Sequence, residues 1–297
     1  MVELAQLRRY ILEQWQRGRR AGRGPRFGPL PAFFSGQGME LHDRKPYQAG
    51  DELRYLDWRA TARSGRAISK VFLDERGRNL YLFIDRRPPM FFGTRVELKA
   101  ATAARAAAIL AYTALAAREQ VSGMIYEQDC HHFPGSRSLS GVLPLLLAAA
   151  APAPEHEAKA DDKRLPPWEK LLTEIARRIS PGSDVCLLSD FHGLTEAHLP
   201  AIQALARRAS IHAIAIHDPG EAVLKPVGRI RLQSPLDGRE FVIDSEQHKL
   251  QQRYATAMMQ HRRLIERLFQ RAAVPLISVS NQQNMLSQLE GIHAAPH

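Results

Sequence analysis

The sequence predicts an α/β protein with a mostly parallel sheet that helices cover on both faces. Segments rich in β-forming residues alternate with long helical segments along most of the 297 residues. Several β-rich segments, such as NLYLFI at 79–84 and DVCLLS at 184–189, are apolar at nearly every position instead of every second one. Strands of this kind are buried on both faces, which is typical of parallel sheets in α/β proteins.

The first 68 residues are predicted to form a basic N-terminal segment ahead of the strands and helices that begin at residue 69. Apolar residues at helical spacing predict an amphipathic helix over 2–16. Glycines and prolines between residues 18 and 31 then end any helix. We expect a flexible basic loop to follow.

The α/β domain is predicted to continue as alternating strands and helices. Segment 96–120 is rich in alanine and apolar nearly all round, which predicts a helix covered by the rest of the protein. Gly77 allows a turn between segments 69–73 and 79–84, so a hairpin or two adjacent strands is expected. The other predicted elements are strands at 121–126 and 130–133, helices at 139–151 and 165–180 joined by a mobile linker, strand 184–189, helix 195–208 with Thr195 as its N-cap, strand 211–216, a hairpin turning at Asp237-Gly238, helix 246–273 and strand 274–279.

Composition limits the classes of protein to consider. With 44% apolar residues the chain can bury a core, and no run of 18 uncharged apolar residues or secretory signal is visible, so a cytoplasmic location is expected. Two cysteines, Cys130 and Cys186, are too few for a disulfide framework. The net charge of +10 favours anionic partners such as nucleic acid, acidic lipid or an acidic protein face. Seven arginines and one glutamate in residues 8–26 concentrate this charge near the N-terminus.

Two aspartates follow predicted strands and indicate where a site would lie. Asp85 comes after strand 79–84, and strand 184–189 ends at Ser189 and is followed by Asp190. In sheets of this kind, sites lie beyond the carboxyl ends of the strands. The sequence therefore predicts a site or partner-binding edge at these residues.

The segment from Glu40 to Asp85 carries a motif at fixed spacings. Its residues are Tyr47, Gly50, Asp51, Arg54, Asp57, Trp58, Ala62, Arg63 and Gly65. With this motif the chain resembles the bacterial "domain of unknown function 58" family, whose members look like von Willebrand factor A domains. The resemblance covers roughly residues 17–290. It implies that residues 1–68 form a basic N-terminal family-motif lobe with short strands, and that residues 69–297 form the A-like domain.

The resemblance also implies a function. Members of the family are often encoded beside MoxR-type AAA+ ATPases and have no established catalytic activity, which implies a non-catalytic adaptor for protein complexes, including membrane-associated A-domain proteins. A domains bind Mg²⁺ through Asp-x-Ser-x-Ser at the end of the first strand. Here Arg87 and Pro89 occupy the two serine positions, which implies a degenerate metal-ion-dependent adhesion site.

The chemistry of these substitutions argues against a bound metal. Mg²⁺ requires oxygen ligands, and neither Arg87 nor Pro89 supplies one. A guanidinium can instead pair with carboxylates through forked hydrogen bonds, so Arg86 or Arg87 placed among Asp85 and Asp190 would replace the charge of the cation. The alternative is that both arginines point to solvent. We expect no cofactor and no metal.

The motif cluster has two interpretations. Asp51, Arg54, Asp57 and Arg63 alternate in charge around Trp58. They form either a partner-binding surface or an internal network of ion pairs that docks the N-terminal lobe onto the sheet.

Other functional classes find little support. Cys130, His131 and His132 do not have the spacing of a zinc site, and neighbouring side chains on a strand point to opposite faces. The sequence contains neither a phosphate-binding glycine loop nor Gly-x-Ser-x-Gly. The adaptor without enzymatic activity that the resemblance implies therefore stays the expected function. A nucleic-acid-binding protein that uses the basic N-terminal face is the alternative, and a Mg²⁺-dependent enzyme would need oxygen ligands that the sequence lacks.

Overall fold

The computed structural model describes residues 41–46, 61, 63, 68–72, 79–153, 167–233 and 239–283. The strands in this part of the chain are β1 (Leu41–Pro46), β2 (Ile68–Phe72), β3 (Asn79–Asp85), β4 (Gln120–Tyr126), β5 (Cys130–Ser136), β6 (Asp184–Ser189), β7 (Ser210–His217), β8 (Arg229–Gln233), β9 (Glu240–Asp244) and β10 (Leu276–Ser280). The α-helices are α1 (Lys99–Ala116), α2 (Leu139–Ala149), α3 (Trp168–Arg178), α4 (Leu199–Ala206) and α5 (His248–Arg271), with 3-10 turns at Pro88–Phe91, Glu196–His198 and Pro219–Ala222.

The central sheet has six strands in the order β10-β7-β6-β3-β4-β5. Every neighbouring pair is parallel except β4 with β5, which is antiparallel. The predicted mostly parallel sheet is thus confirmed. Because β3 pairs with both β4 and β6, the strand order changes direction at β3, and this is where sites form in such sheets.

The core has two layers, one on each face of the sheet. Successive side chains of β3 alternate between them: Leu82 packs beneath α1 and α2, whereas Phe83 packs beneath α3. Each such side chain contributes about 1.5–3 kcal/mol by its burial. Alanines such as Ala103 and Ala107 are fully buried on α1, because the small side chain lets this helix lie close to its neighbours. The prediction of a covered alanine-rich helix is confirmed.

Two predictions about local structure were wrong. Strand β2 pairs with β1 and not with β3, because β4 and β6 already occupy both edges of β3. The segment 195–208 is not one helix: a 3-10 turn covers Glu196–His198 and α4 begins at Leu199. Pro200 explains the break, since its ring would clash with the carbonyl four residues earlier in a continuous α-helix.

Several predictions fall on other parts of the chain. The helix at 2–16, most of the linker before α3, at 154–166, and the turn at Asp237-Gly238 lie outside the described residues, although the two strands of that hairpin, β8 and β9, do pair as expected. The division of the chain after residue 68 stays a prediction. Within the described ranges, no helix combines the length and apolar character needed to cross a membrane.

Candidate functional site at the carboxyl edge of the sheet

Asp85 ends β3 and is completely buried. Its carboxylate accepts hydrogen bonds from the Arg87 backbone N at 3.0 Å and from Arg87 Nη2 at 2.8 Å. Ser189 Oγ, at the end of the adjacent strand β6, donates another hydrogen bond to it at 2.6 Å. The two predicted residues Asp85 and Ser189 are therefore in contact. The donors around the carboxylate satisfy its hydrogen-bonding capacity, and Arg87 neutralises its charge.

Arg87 is buried beside Asp85, with 1% of its surface exposed. Its guanidinium donates hydrogen bonds to the carboxylate through Nε and Nη2 and lies 4.6 Å from the centre of the Trp168 ring on α3. Burial tends to lower the pKa of Arg87, but the charge and hydrogen bonds of Asp85 outweigh it and hold the pKa above its ordinary value. Arg87 is therefore a permanent cation at this edge.

Arg86 is also buried but faces the opposite side of the sheet. Its Nη1 donates to the carbonyl of Ala149 at 2.6 Å, at the end of α2, and further bonds reach the carbonyls of Ala151 and Pro152. Its Nε pairs with Glu127. Since the last carbonyls of a helix lack partners within the helix, Arg86 acts as a cap for α2.

Asp190 forms an ion pair with Lys99, the first residue of α1. The Lys99 ammonium lies 2.7 Å from Asp190 Oδ2, also contacts Glu221, and its side chain is 2% exposed. Burial tends to lower the pKa of Lys99 and raise that of Asp190, but the attraction between them dominates both, so the lysine pKa is raised and the aspartate pKa is lowered. The pKa of Glu221 stays raised, mainly by burial.

These contacts decide between the two interpretations of the arginines. Neither Arg86 nor Arg87 points to solvent, so that alternative is excluded. No single arginine joins the two aspartates: Arg87 binds Asp85, whereas Asp190 pairs with Lys99. Pro89 lies in the 3-10 turn after β3. Among the described residues, no group of three or more His, Cys, Asp or Glu side chains is arranged to hold a metal ion.

Lys99 and Glu221 were missed as site residues by sequence reasoning, although one signal was available for the lysine. A cation at the N-terminus of a helix opposes the helix dipole. A lysine at this position, opening a helix that is mostly apolar and rich in alanine, indicates carboxylates close by. Glu221 follows β7 and carried no comparable signal.

A second network fixes the loop that precedes α1. The Asp218 carboxylate, after β7, accepts hydrogen bonds from Thr94 N at 2.7 Å and from Thr94 Oγ1 at 2.6 Å. Asn281, after β10, donates to Asp218 Oδ2 and to the carbonyl of Glu97, both at 2.8 Å. Burial tends to raise the pKa of Asp218, but these donors lower it to about 2.

The other predicted residues are scattered or lie elsewhere. Arg63 is exposed. Cys186 is buried in β6, and Cys130 on β5 is partly exposed; both are free thiols. The remaining residues of the family motif lie outside the described residues: Tyr47, Gly50, Asp51, Arg54, Asp57, Trp58, Ala62 and Gly65.

Comparison with known proteins identifies the family. The family model described as "Protein of unknown function DUF58" matches residues 43–264, which is most of the chain. The chain belongs to the DUF58 family. Relatives of this DUF58 chain include the uncharacterized proteins Mb1516 of Mycobacterium bovis and Rv1480 of Mycobacterium tuberculosis. Each is 26% identical over 268 residues, which cover 90% of this chain and 81% of the relative.

Solved structures show only a distant likeness to the DUF58 chain. BatB from Bacteroides thetaiotaomicron is 13% identical with a TM-score of 0.40, and the match covers 74% of this chain and all of that one. The aerotolerance-related membrane protein of Bacteroides fragilis is 12% identical with a TM-score of 0.41, covering 73% of this chain and 98% of that one. Scores of this size do not assign a fold.

Proposed function

We propose that this DUF58 chain is a non-catalytic, cytoplasmic adaptor with an A-domain-like fold, in which built-in cations replace the metal ion of an adhesion site. It would work with a MoxR-type AAA+ ATPase in the assembly or maturation of protein complexes. One observation carries the proposal: the two aspartates at the carboxyl edge, Asp85 and Asp190, are each neutralised by a buried side-chain cation.

The position of Asp85 supports the A-domain part of the proposal. In A domains the metal-binding aspartate ends the first strand, and Asp85 ends β3, which is the first strand of the six-stranded sheet along the chain. Ser189 on β6 bonds to it, so the end of a second strand contributes to the same place. The serine positions of the A-domain motif hold Arg87 and Pro89.

The charges at this edge favour replacement of the metal ion by side-chain cations over the binding of a metal ion beside them. Arg87 and Lys99 together supply two positive charges beside the two aspartates, the charge that a divalent ion would bring. A divalent ion about 5 Å from either cation would be repelled by about 7 kcal/mol at an effective dielectric constant of about 20. The edge is therefore a docking surface whose charge does not depend on metal.

Calorimetry tests whether the protein binds a divalent metal ion. Titration of the protein with Mg²⁺ and with Mn²⁺ should give no heat of binding in the micromolar range. Micromolar binding that disappears in an Asp85→Ala variant would overturn the replacement of the metal.

The ATPase partnership comes from the family resemblance and needs its own experiment. The purified chain should bind a MoxR-type ATPase from the same genome in biolayer interferometry, with an affinity that differs between ATP and no nucleotide. An unrelated AAA+ ATPase serves as the control. If the MoxR-type protein binds no better than this control in either state, the proposed partnership is wrong.

Helix α5 favours nucleic acid binding as a second candidate. Arg253, Arg263 and Arg267 are exposed, with no ion pair in the described part of the chain, and helical geometry places them on one side of α5. A stripe of cations can contact phosphates. This candidate predicts binding to nonspecific duplex DNA that weakens steeply between 50 and about 200 mM salt. Affinity that is absent at low salt excludes it.

A further inference from the structure

The loop between the 3-10 turn after β3 and helix α1, here called the edge loop (residues 92–98), exposes apolar side chains. Phe92 is 42% exposed, Val96 66% and Leu98 39%. Val223, two residues beyond the Lys99 partner Glu221, is 60% exposed. Single exposed apolar residues are ordinary on protein surfaces. Three within one seven-residue loop beside a candidate site are a feature to explain.

The edge loop is held in one conformation. The Lys99 backbone N donates to the carbonyl of Phe92 at 3.0 Å and closes the loop. Thr94 is bound to Asp218 through its backbone and its hydroxyl. A β-carbon added at Gly93 would lie 2.3 Å from the carbonyl oxygen of Glu97, so only glycine fits this close approach.

The fixed conformation of the edge loop favours the binding of a partner. A loop fixed by hydrogen bonds to Asp218, after β7, and to Asn281, after β10, cannot fold its apolar side chains inward to remove them from water. A partner that covers these side chains gains the hydrophobic free energy and loses little entropy in ordering the loop. The conformation is therefore suited to docking before any partner arrives.

The charges around the edge loop indicate the chemistry of the partner. The acidic side chains named at this edge already form ion pairs: Asp190 and Glu221 pair with Lys99, and Glu97 pairs with Arg105. Arg95 on the loop, and Lys225, four residues after Glu221 in the sequence, are exposed and form no ion pair within the described part of the chain. The charge available to a partner is therefore positive, which complements acidic residues.

We propose that the edge loop, together with Val223, is the docking site for a protein segment that presents apolar side chains flanked by carboxylates. The inference deepens the proposed function and relies on its assignment of this edge as a binding surface. The apolar side chains supply most of the affinity, and Arg95 and Lys225 select for acidic flanks.

Selection from a phage-displayed library of random 12-residue peptides tests the proposal. Full-length protein is immobilised, and enriched peptides are synthesised and measured by fluorescence anisotropy. We expect peptides rich in apolar and acidic residues, and Val96→Glu should weaken their binding at least tenfold. Val242→Glu is the matched control, because Val242 is 67% exposed on β9 in a different sheet, and should change the affinity less than twofold.

The outcomes separate this inference from the proposed function. Selected peptides that bind the Val96→Glu variant as tightly as wild type, or that are basic, overturn the inference. Failure to enrich any peptide over the Val96→Glu surface also overturns it, even if the MoxR-type ATPase binds. Acidic, apolar peptides that require Val96 support the inference even if the ATPase does not bind, a result that would refute only the proposed ATPase partner.

Discussion

Replacing Lys99 with methionine tests whether a built-in cation holds the edge together. The substitution keeps the length of the apolar side chain but removes the ammonium, and it leaves Asp190 and Glu221, 10% and 20% exposed, without their counter-charge. Removing one partner of a buried ion pair destabilises a protein by about 3–5 kcal/mol. For a domain of this size, each kcal/mol lowers the melting temperature by about 2–4 °C, so we expect a decrease of roughly 6–20 °C.

The pH dependence of this loss has a definite sign. Without Lys99, we expect the carboxyl groups of Asp190 and Glu221 to have folded-state pKa values above their unfolded values, because burial then outweighs the backbone hydrogen bonds from His192 and Asp218. Such groups bind protons more readily in the folded state, so the variant should recover stability relative to wild type as the pH falls from 7.5 to 5.

Thermal unfolding followed by circular dichroism at pH 7.5 and 5.0 measures both effects. Lys225→Met is the matched control, because Lys225 is exposed and unpaired within the described residues, and it should melt within about 1 °C of wild type. A Lys99→Met variant that melts within about 2 °C of wild type at pH 7.5 would refute the structural role of the cation.

Three further predictions concern the metal site, pH and the edge loop. Arg87→Ser combined with Pro89→Ser restores Asp-x-Ser-x-Ser, and 10 mM Mg²⁺ should then stabilise the variant by about 1.4 kcal/mol if the dissociation constant is about 1 mM, whereas wild type should not respond. Burial lowers the pKa of His212 to about 4, so as the pH falls the unfolded chain binds a proton before the folded chain does. The free energy of unfolding of the wild-type protein should therefore fall by up to about 3 kcal/mol through this group between pH 6.5 and 4. Urea unfolding should show a weaker dependence of stability on pH for His212→Gln. Gly93→Ala should destabilise the protein by about 1–3 kcal/mol in the same assay, since the new methyl group meets the Glu97 backbone, and an unchanged midpoint would show that the loop can move.

The sequence predicted the sheet well because its signals are local. A run such as DVCLLS carries its own evidence of burial, and β6 covers those same residues. Asp85, Ser189 and Asp190 were predicted as site residues because the carboxyl ends of parallel strands share one edge. The resemblance then identified the serine positions occupied by Arg87 and Pro89.

What the sequence did not predict depends on contacts between distant segments. The bond of Asn281 to Asp218 joins residues 63 apart, and Lys99 reaches Glu221 across 122 residues. No periodicity or spacing records such pairs. The partner of β2 was mispredicted for the same reason, because a strand pairs with whichever edge is free, and the occupied edges of β3 could not be known in advance.

The two adjacent arginines after β3 also have a consequence for unfolding. Arg86 is bonded to the end of α2 on one face of the sheet, and Arg87 lies against Trp168 of α3 on the other. Neither helical layer can separate from the sheet without breaking a buried guanidinium contact at the same strand end. We therefore expect the two layers to open together in native-state hydrogen exchange, as one cooperative unit with a shared free energy of opening.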